Sequence, residues 1–201
     1  NLQEEDLLEA CKLAFAAGYN GVKLYFMMGL PTETDEDLLG ISKIVRHVQQ
    51  TFREYAKNKA RGLRINVGIS IFVPKAQTPF QWLGQISAEE AARRKEVVMQ
   101  SLNIKGVTYS IHEYKTSFLE AVLARGDRRL SAVLERAWEL GCRLDGWEEN
   151  FNFEAWMQAF ADTGVDPAFY ANRELAEDEV LAWDHISSGV TKCYLRSELV
   201  Q

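Results

Sequence analysis

The stretch YNGVKLYFMMGLPTET, residues 19–34, decides how this chain folds. Its β-rich part, residues 21–28, runs into the loop GLP at residues 29–31, and acidic residues after Thr34 then favour the start of a helix. Parallel α/β folds combine a strand, a tight loop and a helix N-terminus to build ligand sites at the carboxyl ends of strands. We therefore expect a ligand site at this loop.

A second stretch, LRINVGISIFVPKAQTPF at residues 63–80, repeats this design. In its strand, residues 64–73, β-branched side chains alternate with polar or small ones, which predicts one apolar face and one polar face. A packed barrel interior is normally filled with Val, Ile and Leu. The polar row therefore predicts a lumen that holds a polar ligand or water, with Tyr25, Asn66 and Ser70 lining it. An antiparallel sheet with one solvated face is the alternative.

The order of the predicted elements is β-α-β-α-β after a first helix. Helices are expected at residues 3–17, 35–60 and 87–103, and strands at residues 21–28, 64–73 and 107–112. Connections of dozens of residues indicate parallel strands joined by crossovers. The first part of the chain, residues 1–112, is therefore predicted to be part of a ligand-binding barrel.

The pattern becomes helical from residue 113, so residues 113–201 are predicted to form a mostly helical C-terminal domain. The expected helices cover residues 114–124, 128–140, 153–163 and 188–199. We expect Trp138, Trp147 and Trp156 in the core between these helices. Acidic residues outnumber basic ones 17 to 9 in residues 111–201, so we predict no nucleic-acid partner for this part.

Composition places the chain among ordinary globular proteins, with 47% hydrophobic and 26% charged residues among 201. It shows no apolar run of membrane-span length and no secretory signal, so no membrane partner is expected. The spacing of Cys11, Cys142 and Cys193 matches no metal-binding motif and no redox motif. A reducing cytoplasm is the expected compartment. The chain opens on Asn1 without an initiator Met, and we interpret it as a fragment of a longer protein.

Two of the quoted strands also carry a family resemblance. Residues 23–37, KLYFMMGLPTETDED, and residues 72–82, FVPKAQTPFQW, resemble the fifth and sixth strands and following loops of radical S-adenosylmethionine enzymes. Residues 125–130, RGDRRL, and residues 183–186, WDHI, are similar to a subgroup with an upstream cobalamin-binding domain. The resemblance covers essentially the whole chain. It implies an α/β fold made of the C-terminal strands and helices of a partial (βα)6 TIM-like barrel, followed by the helical domain.

The resemblance implies chemistry that this chain does not complete by itself. The family holds a four-iron–four-sulfur cluster on a C-x3-C-x2-C loop and cleaves S-adenosylmethionine reductively to a radical that abstracts hydrogen from substrate. No such loop exists here, and thiolates are the ligands that the cluster requires. We therefore predict that this chain alone contributes no metal ligand and no catalytic residue and is inactive. Whether the longer protein uses cobalamin stays open.

The resemblance also assigns cofactor-binding residues by position. The residues that match the fifth-strand motif, which approaches S-adenosylmethionine, are Gly29 and Glu33. The residues that match the sixth-strand segment near adenine are Phe72, Val73 and Pro74. None of them is expected to act as a proton-transfer catalyst, and their expected role is to give the cofactor shape and hydrogen bonds.

Three functions compete on this sequence. The first is the S-adenosylmethionine-binding, substrate-side portion of a radical iron–sulfur oxidoreductase, whose partners are upstream barrel strands and an unknown substrate. The second is a non-enzymatic docking module in which the barrel piece carries the helical half. The third, an unrelated α/β-barrel hydrolase, lacks an assembled nucleophile–base pair or metal-ligand set. The roles of His112 and His185 stay open, and a substrate-facing position is one alternative for His185.

A cut barrel would leave the strand at residues 21–28 with an unpaired edge. Unpaired strand edges recruit other chains. We expect this edge to be covered by self-association, by exchange of segments between copies, or by docking of the helical half.

Overall fold

The chain divides into two compact units. The structure is a computed structural model, and it describes residues 3–200. The first unit takes in the chain up to Phe72 together with Ala88–His112, and the second takes in Val73–Ser87 together with the chain from Glu113. The sequence had assigned residues 73–87 to the first domain, whereas their contacts place them in the helical one.

The first unit alternates helices and strands. Its regular elements are α1 (Glu4–Ala17), β1 (Gly21–Met28), α2 (Asp35–Tyr55), β2 (Arg64–Ile71), α3 (Ala88–Ser101) and β3 (Val107–Ile111). Helix α2 begins as the sequence predicts, because Thr34 and Asp37 cap each other: the Asp37 N–H donates to the Thr34 hydroxyl, and the Thr34 N–H donates to the Asp37 carboxylate at 2.8 Å. The helix ends five residues earlier than expected, at Tyr55.

Strand β2 lies in the middle of the sheet and pairs in parallel with both neighbours. Gly21 stands beside Arg64 and Met28 beside Ile71 along β1, and Ile65 stands beside Val107 along β3. The predicted parallel pairing is confirmed, and the antiparallel alternative is excluded.

The predicted partial (βα)6 TIM-like barrel is wrong. The described residues form a small open sheet of three strands in the order β1-β2-β3, accompanied by eight α-helices. The α/β character is right, but no barrel is present in residues 3–200. The order of the elements and the length of their connections predict parallel strands joined by crossovers, whereas a barrel depends on strand number, tilt and stagger, which these features do not encode.

The alternation in β2 separates a buried face from an open one. The buried residues of the strand are Ile65, Val67, Ile69 and Ile71, and Leu24 and Met28 of β1 join them on that face. The helices contribute buried apolar side chains, among them Phe15, Leu38, Val45, Val48, Phe52 and Val98. Each fully buried side chain of this kind stabilises the unit by about 1.5–3 kcal/mol. The core of the first unit therefore lies on one face of the sheet only.

The second unit is helical, as predicted. Its α-helices are α4 (Tyr114–Arg125), α5 (Leu130–Glu139), α6 (Phe153–Thr163), α7 (Pro167–Ala171) and α8 (Lys192–Leu199). The sequence did not predict α7, whose five residues are too few for a helical period to show. Helix α8 begins after its cap Thr191 rather than at residue 188.

Two of the three tryptophans expected in the core of the second unit lie on its surface. Trp156 is buried, but Trp138 is 60% and Trp147 is 62% exposed. Helix α5 buries Leu130, Val133 and Ala137, so Trp138, which follows Ala137 directly, points away from that face. Regular spacing between tryptophans does not tell which helix face each one occupies.

Gly84 provides a test of packing in the second unit, since a Cβ there would lie 2.1 Å from the Asn172 carbonyl oxygen. The Asn172 side chain donates to the carbonyls of Gln85 and Ile86 at 3.0 and 3.1 Å, so the clashing segment cannot easily move. Gly84→Ala should lower the free energy of unfolding by about 2 kcal/mol, measured by urea denaturation. Gly146→Ala is the matched control, because a Cβ there meets nothing within 4 Å, and its effect should stay within about 0.5 kcal/mol. Equal effects would contradict the packing described.

Candidate functional site

The open face of the sheet carries polar side chains from all three strands. Lys23, Asn66 and Thr108 stand side by side in register, and Tyr25, Gly68 and Ser110 do so one pleat further along. These six residues line an open cavity of about 380 Å³. Lys23 belongs to the polar row that the sequence predicts for this face, and Thr108 and Ser110 are site residues that sequence reasoning missed. The period of two that identified Asn66 would have found Thr108 and Ser110 in the next strand.

Tyr25 and Asn66, both predicted for this face, meet in the cavity. Tyr25 is 75% exposed, and its ring lies against Gly68, where a Cβ would come within 3.0 Å of the Tyr25 Cδ1 atom. The side-chain amide oxygen of Asn66, Oδ1, accepts a hydrogen bond from the Thr108 hydroxyl. Ser70, also predicted, lies two residues beyond Gly68 on the same face, outside this cavity, and its hydroxyl donates to the Phe26 carbonyl at 3.4 Å.

The loop after β1 is held in shape by Glu33. Gly29 has φ +84°, and its N–H donates to Glu33 Oε2 at 2.8 Å. Arg94 Nη1, from α3, donates to the same oxygen at 2.6 Å, and the Glu33 side chain is only 7% exposed. Thr32 in the same loop has φ +62°, an uncommon conformation for a β-branched residue. Glu33 thus positions the loop, and its carboxylate is occupied by the loop and by Arg94.

Two neighbouring arginines of α3 clamp the start of α2 and the loop before it. Arg93 donates to both Asp35 oxygens at 2.9 and 2.8 Å, and Arg94 Nε donates to Glu90 at 2.7 Å. Hydrogen bonds from Arg93 and then Arg94 lower the pKa of Glu90 to about 2. Burial acts to lower the pKa of Arg94, but the hydrogen bonds to Glu90 and Glu33 together outweigh it, so this pKa is raised. Glu90 and Arg94 are therefore ionised at neutral pH.

The three residues predicted after β2 are mostly covered. Phe72 belongs to the first unit, where its side chain is buried and its N–H donates to the Met28 carbonyl at 2.8 Å. Val73 and Pro74 belong to the second unit, where Val73 packs partly buried against the helical core and Pro74 is buried. Phe72 thus offers its ring to the interior, and an adenine stacked on it would require this segment to move.

Within residues 3–200, no group of three or more His, Cys, Asp or Glu side chains could hold a metal ion. Burial raises the pKa of the Cys11 and Cys142 thiols, which therefore stay protonated, and Cys193 is exposed. No α-helix in that range has the length and apolar character needed to cross a membrane. Chemistry at the open face would depend on hydroxyl, amide and ammonium groups.

Comparison with known proteins finds one distant relative among curated sequences. An uncharacterized protein of Methanocaldococcus jannaschii, MJ0966, is 25% identical over 167 residues, which cover 82% of this chain and 34% of the relative. The chain thus spans about a third of the length of that relative. No family model matches the sequence, and no solved structure matches it.

The Glu33–Arg94 pair should be a main support of the loop. Glu33→Ala leaves a largely buried guanidinium and the Gly29 N–H without their shared acceptor, so the free energy of unfolding should fall by about 2 kcal/mol. Glu36→Ala removes an exposed carboxylate from the same region and should lower the free energy of unfolding by about 0.5 kcal/mol at most. A double-mutant cycle with Arg94→Ala, followed by urea denaturation, should show a coupling of about 1 kcal/mol or more. Additive effects would contradict this role.

Proposed function

We propose that this chain is the S-adenosylmethionine-binding, substrate-side portion of a longer radical S-adenosylmethionine iron–sulfur enzyme. The observation that carries the proposal is the uncovered polar face of a parallel sheet. Parallel sheets are normally covered on both faces. Here the residues that line the cavity offer hydroxyl, amide and ammonium groups instead of the apolar contacts that a covering helix would need. A polar ligand is the occupant that suits such a face.

Each residue of the open face has a role that its chemistry suits. The Tyr25 ring is exposed and is suited to stack on a purine, and Gly68, which has no side chain, lets this ring lie close to β2. The Asn66 amide nitrogen remains to donate to a ring nitrogen or ribose oxygen, because its carbonyl oxygen is bonded to Thr108. The Lys23 ammonium suits the carboxylate of the amino-acid part. S-adenosylmethionine would supply the source of the radical.

The other predicted residues act at the ends of the strands. Gly29 lets the backbone come close to a ligand, and Glu33 holds that backbone in place. Ser70 would offer its hydroxyl toward the carboxyl end of β2. Phe72, Val73 and Pro74 would shape the exit of this strand, since their side chains are largely buried.

The iron–sulfur cluster does not fit the residues of this chain. Two of its three thiols are buried in different units, and no set of ligands converges in residues 3–200. The cluster ligands would come from another part of the longer protein, and no step of the reaction is assigned to this chain. We place that protein in the cytoplasm, with cobalamin as a further cofactor and with self-association through the outer edge of β1.

A docking module is the second candidate. Exposed apolar side chains on the helical unit favour it, since Trp138, Leu144 and Trp147 are all largely accessible. Large apolar side chains that are exposed in this way are candidates for an interaction surface.

The function can be tested on the longer protein that contains this chain. After anaerobic reconstitution with iron and sulfide, reduction in the presence of S-adenosylmethionine should release 5′-deoxyadenosine. Tyr25→Ala and Asn66→Ala remove contacts of the open face and should each weaken S-adenosylmethionine binding by about tenfold. Thr116→Ala, at an exposed position of α4, is the matched control and should leave binding unchanged.

Two outcomes would contradict the proposed function. One is the absence of 5′-deoxyadenosine from a protein that carries a full cluster. The other is normal S-adenosylmethionine binding in both open-face variants, which would remove the sheet from the site and favour the docking module.

A further inference from the structure

The second unit contains a cleft between the turn at residues 125–129 and the segment at residues 179–185, which we call the arginine cleft. It consists of two adjoining cavities of about 180 and 680 Å³, and both are lined by Asp127, Arg129 and Ala182. The RGDRRL and WDHI pieces, which are more than fifty positions apart in the sequence, thus face one space. Packing alone does not require two pieces so far apart in the sequence to line the same cleft.

The charge of this cleft is opposite to that of the chain around it. Four arginines line it, Arg125, Arg128, Arg129 and Arg173, against the two carboxylates Asp127 and Glu179. In residues 111–201, by contrast, acidic residues outnumber basic ones 17 to 9. Four of those nine basic residues therefore gather at one cleft. A concave surface with an excess of one charge concentrates ligands of the opposite charge.

Arg125 forms the floor of the cleft as a buried cation that binds no carboxylate. It is 4% exposed, and its guanidinium donates to the carbonyls of Tyr170, Ala171 and Arg173 at 2.7, 3.0 and 2.7 Å. Its Nε has no hydrogen-bond partner among residues 3–200. Burial, and then the charge of Arg173, lowers the Arg125 pKa to about 10. A buried cation without a paired anion is costly, and an anion in the cleft would offset that cost.

The arginines of the rim are held in fixed positions. Arg129 donates to Asp127 from Nε and Nη2 at 3.0 and 2.6 Å, and Arg173 donates to Glu179 through two bonds of 2.9 and 2.8 Å. Both guanidinium groups lie over the Phe169 ring, with their Cζ atoms 5.4 and 4.3 Å from its centroid. Carboxylates and an aromatic ring thus hold these two guanidinium groups in place. Little side-chain entropy would therefore be lost when a ligand binds.

Two further side chains at the cleft have no partner within residues 3–200. Arg128 and His185 line the larger cavity from opposite segments, both are exposed, and neither side chain forms a hydrogen bond or an ion pair there. Each can therefore turn toward a ligand without breaking an existing interaction.

We propose that the arginine cleft binds the phosphate group of a small organic molecule. The excess of two arginines over carboxylates matches a phosphate monoester, which carries a charge of about −1.5 to −2 at neutral pH. Guanidinium forks bind phosphate oxygens in pairs, and the fork of Arg128 has no partner within residues 3–200. Leu175, Val180 and Ala182, which line the smaller cavity, offer apolar contacts for the organic part. The acidic surface outside the cleft disfavours an extended nucleic-acid backbone. Because every residue involved belongs to the second unit, this proposal does not depend on the S-adenosylmethionine site.

Isothermal titration calorimetry on the full 201-residue chain tests the proposal, with adenosine monophosphate, inorganic pyrophosphate, citrate and adenosine as probes. The two phosphate probes should bind saturably at one site, more tightly than citrate, and adenosine should not bind. Arg128→Ala should weaken phosphate binding by about tenfold, because it removes a charged hydrogen-bond donor. Arg143→Ala is the matched control, since Arg143 is exposed in the same unit, outside the cleft, where it lies over Trp138.

His185→Ala supplies a second variant that leaves the packing intact, and it should weaken binding less than Arg128→Ala does. Thermal unfolding curves that coincide for all variants would show that they are folded. The proposal would be overturned if neither phosphate probe binds with a Kd below about 10 mM. It would also be overturned if Arg143→Ala weakens binding as much as Arg128→Ala, because binding would then follow overall charge.

Discussion

The pairing of β2 between two parallel neighbours is the constraint on which the first unit depends. Once both edges of β2 are bonded, its side chains can only alternate between the two faces, and a shift of one residue would exchange them. Val67 and Ile69 then fall on the buried face, and Asn66 and Ser70 on the other. The same pairing brings the loops after β1 and β2 to one edge of the sheet. The location of the open face therefore follows from hydrogen bonding along one strand.

The ends of the strands need a separate set of interactions, because loops there must hold unusual backbone conformations. Glu33 bonds the Gly29 N–H within the loop and Arg94 outside it, while Arg93 reaches Asp35 at the start of α2. Arg93 and Arg94, adjacent residues of α3, thus connect the loop after β1 and the start of α2 to a helix that is distant in sequence. Much of the loop's order comes from the largely buried Glu33–Arg94 pair, with the exposed Arg93–Asp35 pair beside it, and only part of it from the glycine.

The sequence predicted those features that a local period encodes. The alternation of β2, the capping of α2 by Thr34 and most helix bounds were confirmed, because each depends on neighbours within one element. Barrel closure was wrong, since strand number is not written in any one strand. Trp138 and Trp147 were misplaced for a similar reason, as burial depends on what packs against a helix. The partners of Glu33 and Arg125, and the meeting of RGDRRL with WDHI, involve residues far apart in sequence, and no local pattern reports such contacts.

Cysteine accessibility along β2 reports which face of the sheet is open. In a Cys193→Ser background, Asn66→Cys and Val67→Cys place thiols on adjacent residues of opposite faces, and Cys11 and Cys142 stay buried. In native protein, the Asn66→Cys thiol should react quickly with a maleimide, and the Val67→Cys thiol should be protected. In urea, the two thiols should react at the same rate. Rapid labelling of Val67→Cys together with protection of Asn66→Cys would place the faces the other way round and contradict the account.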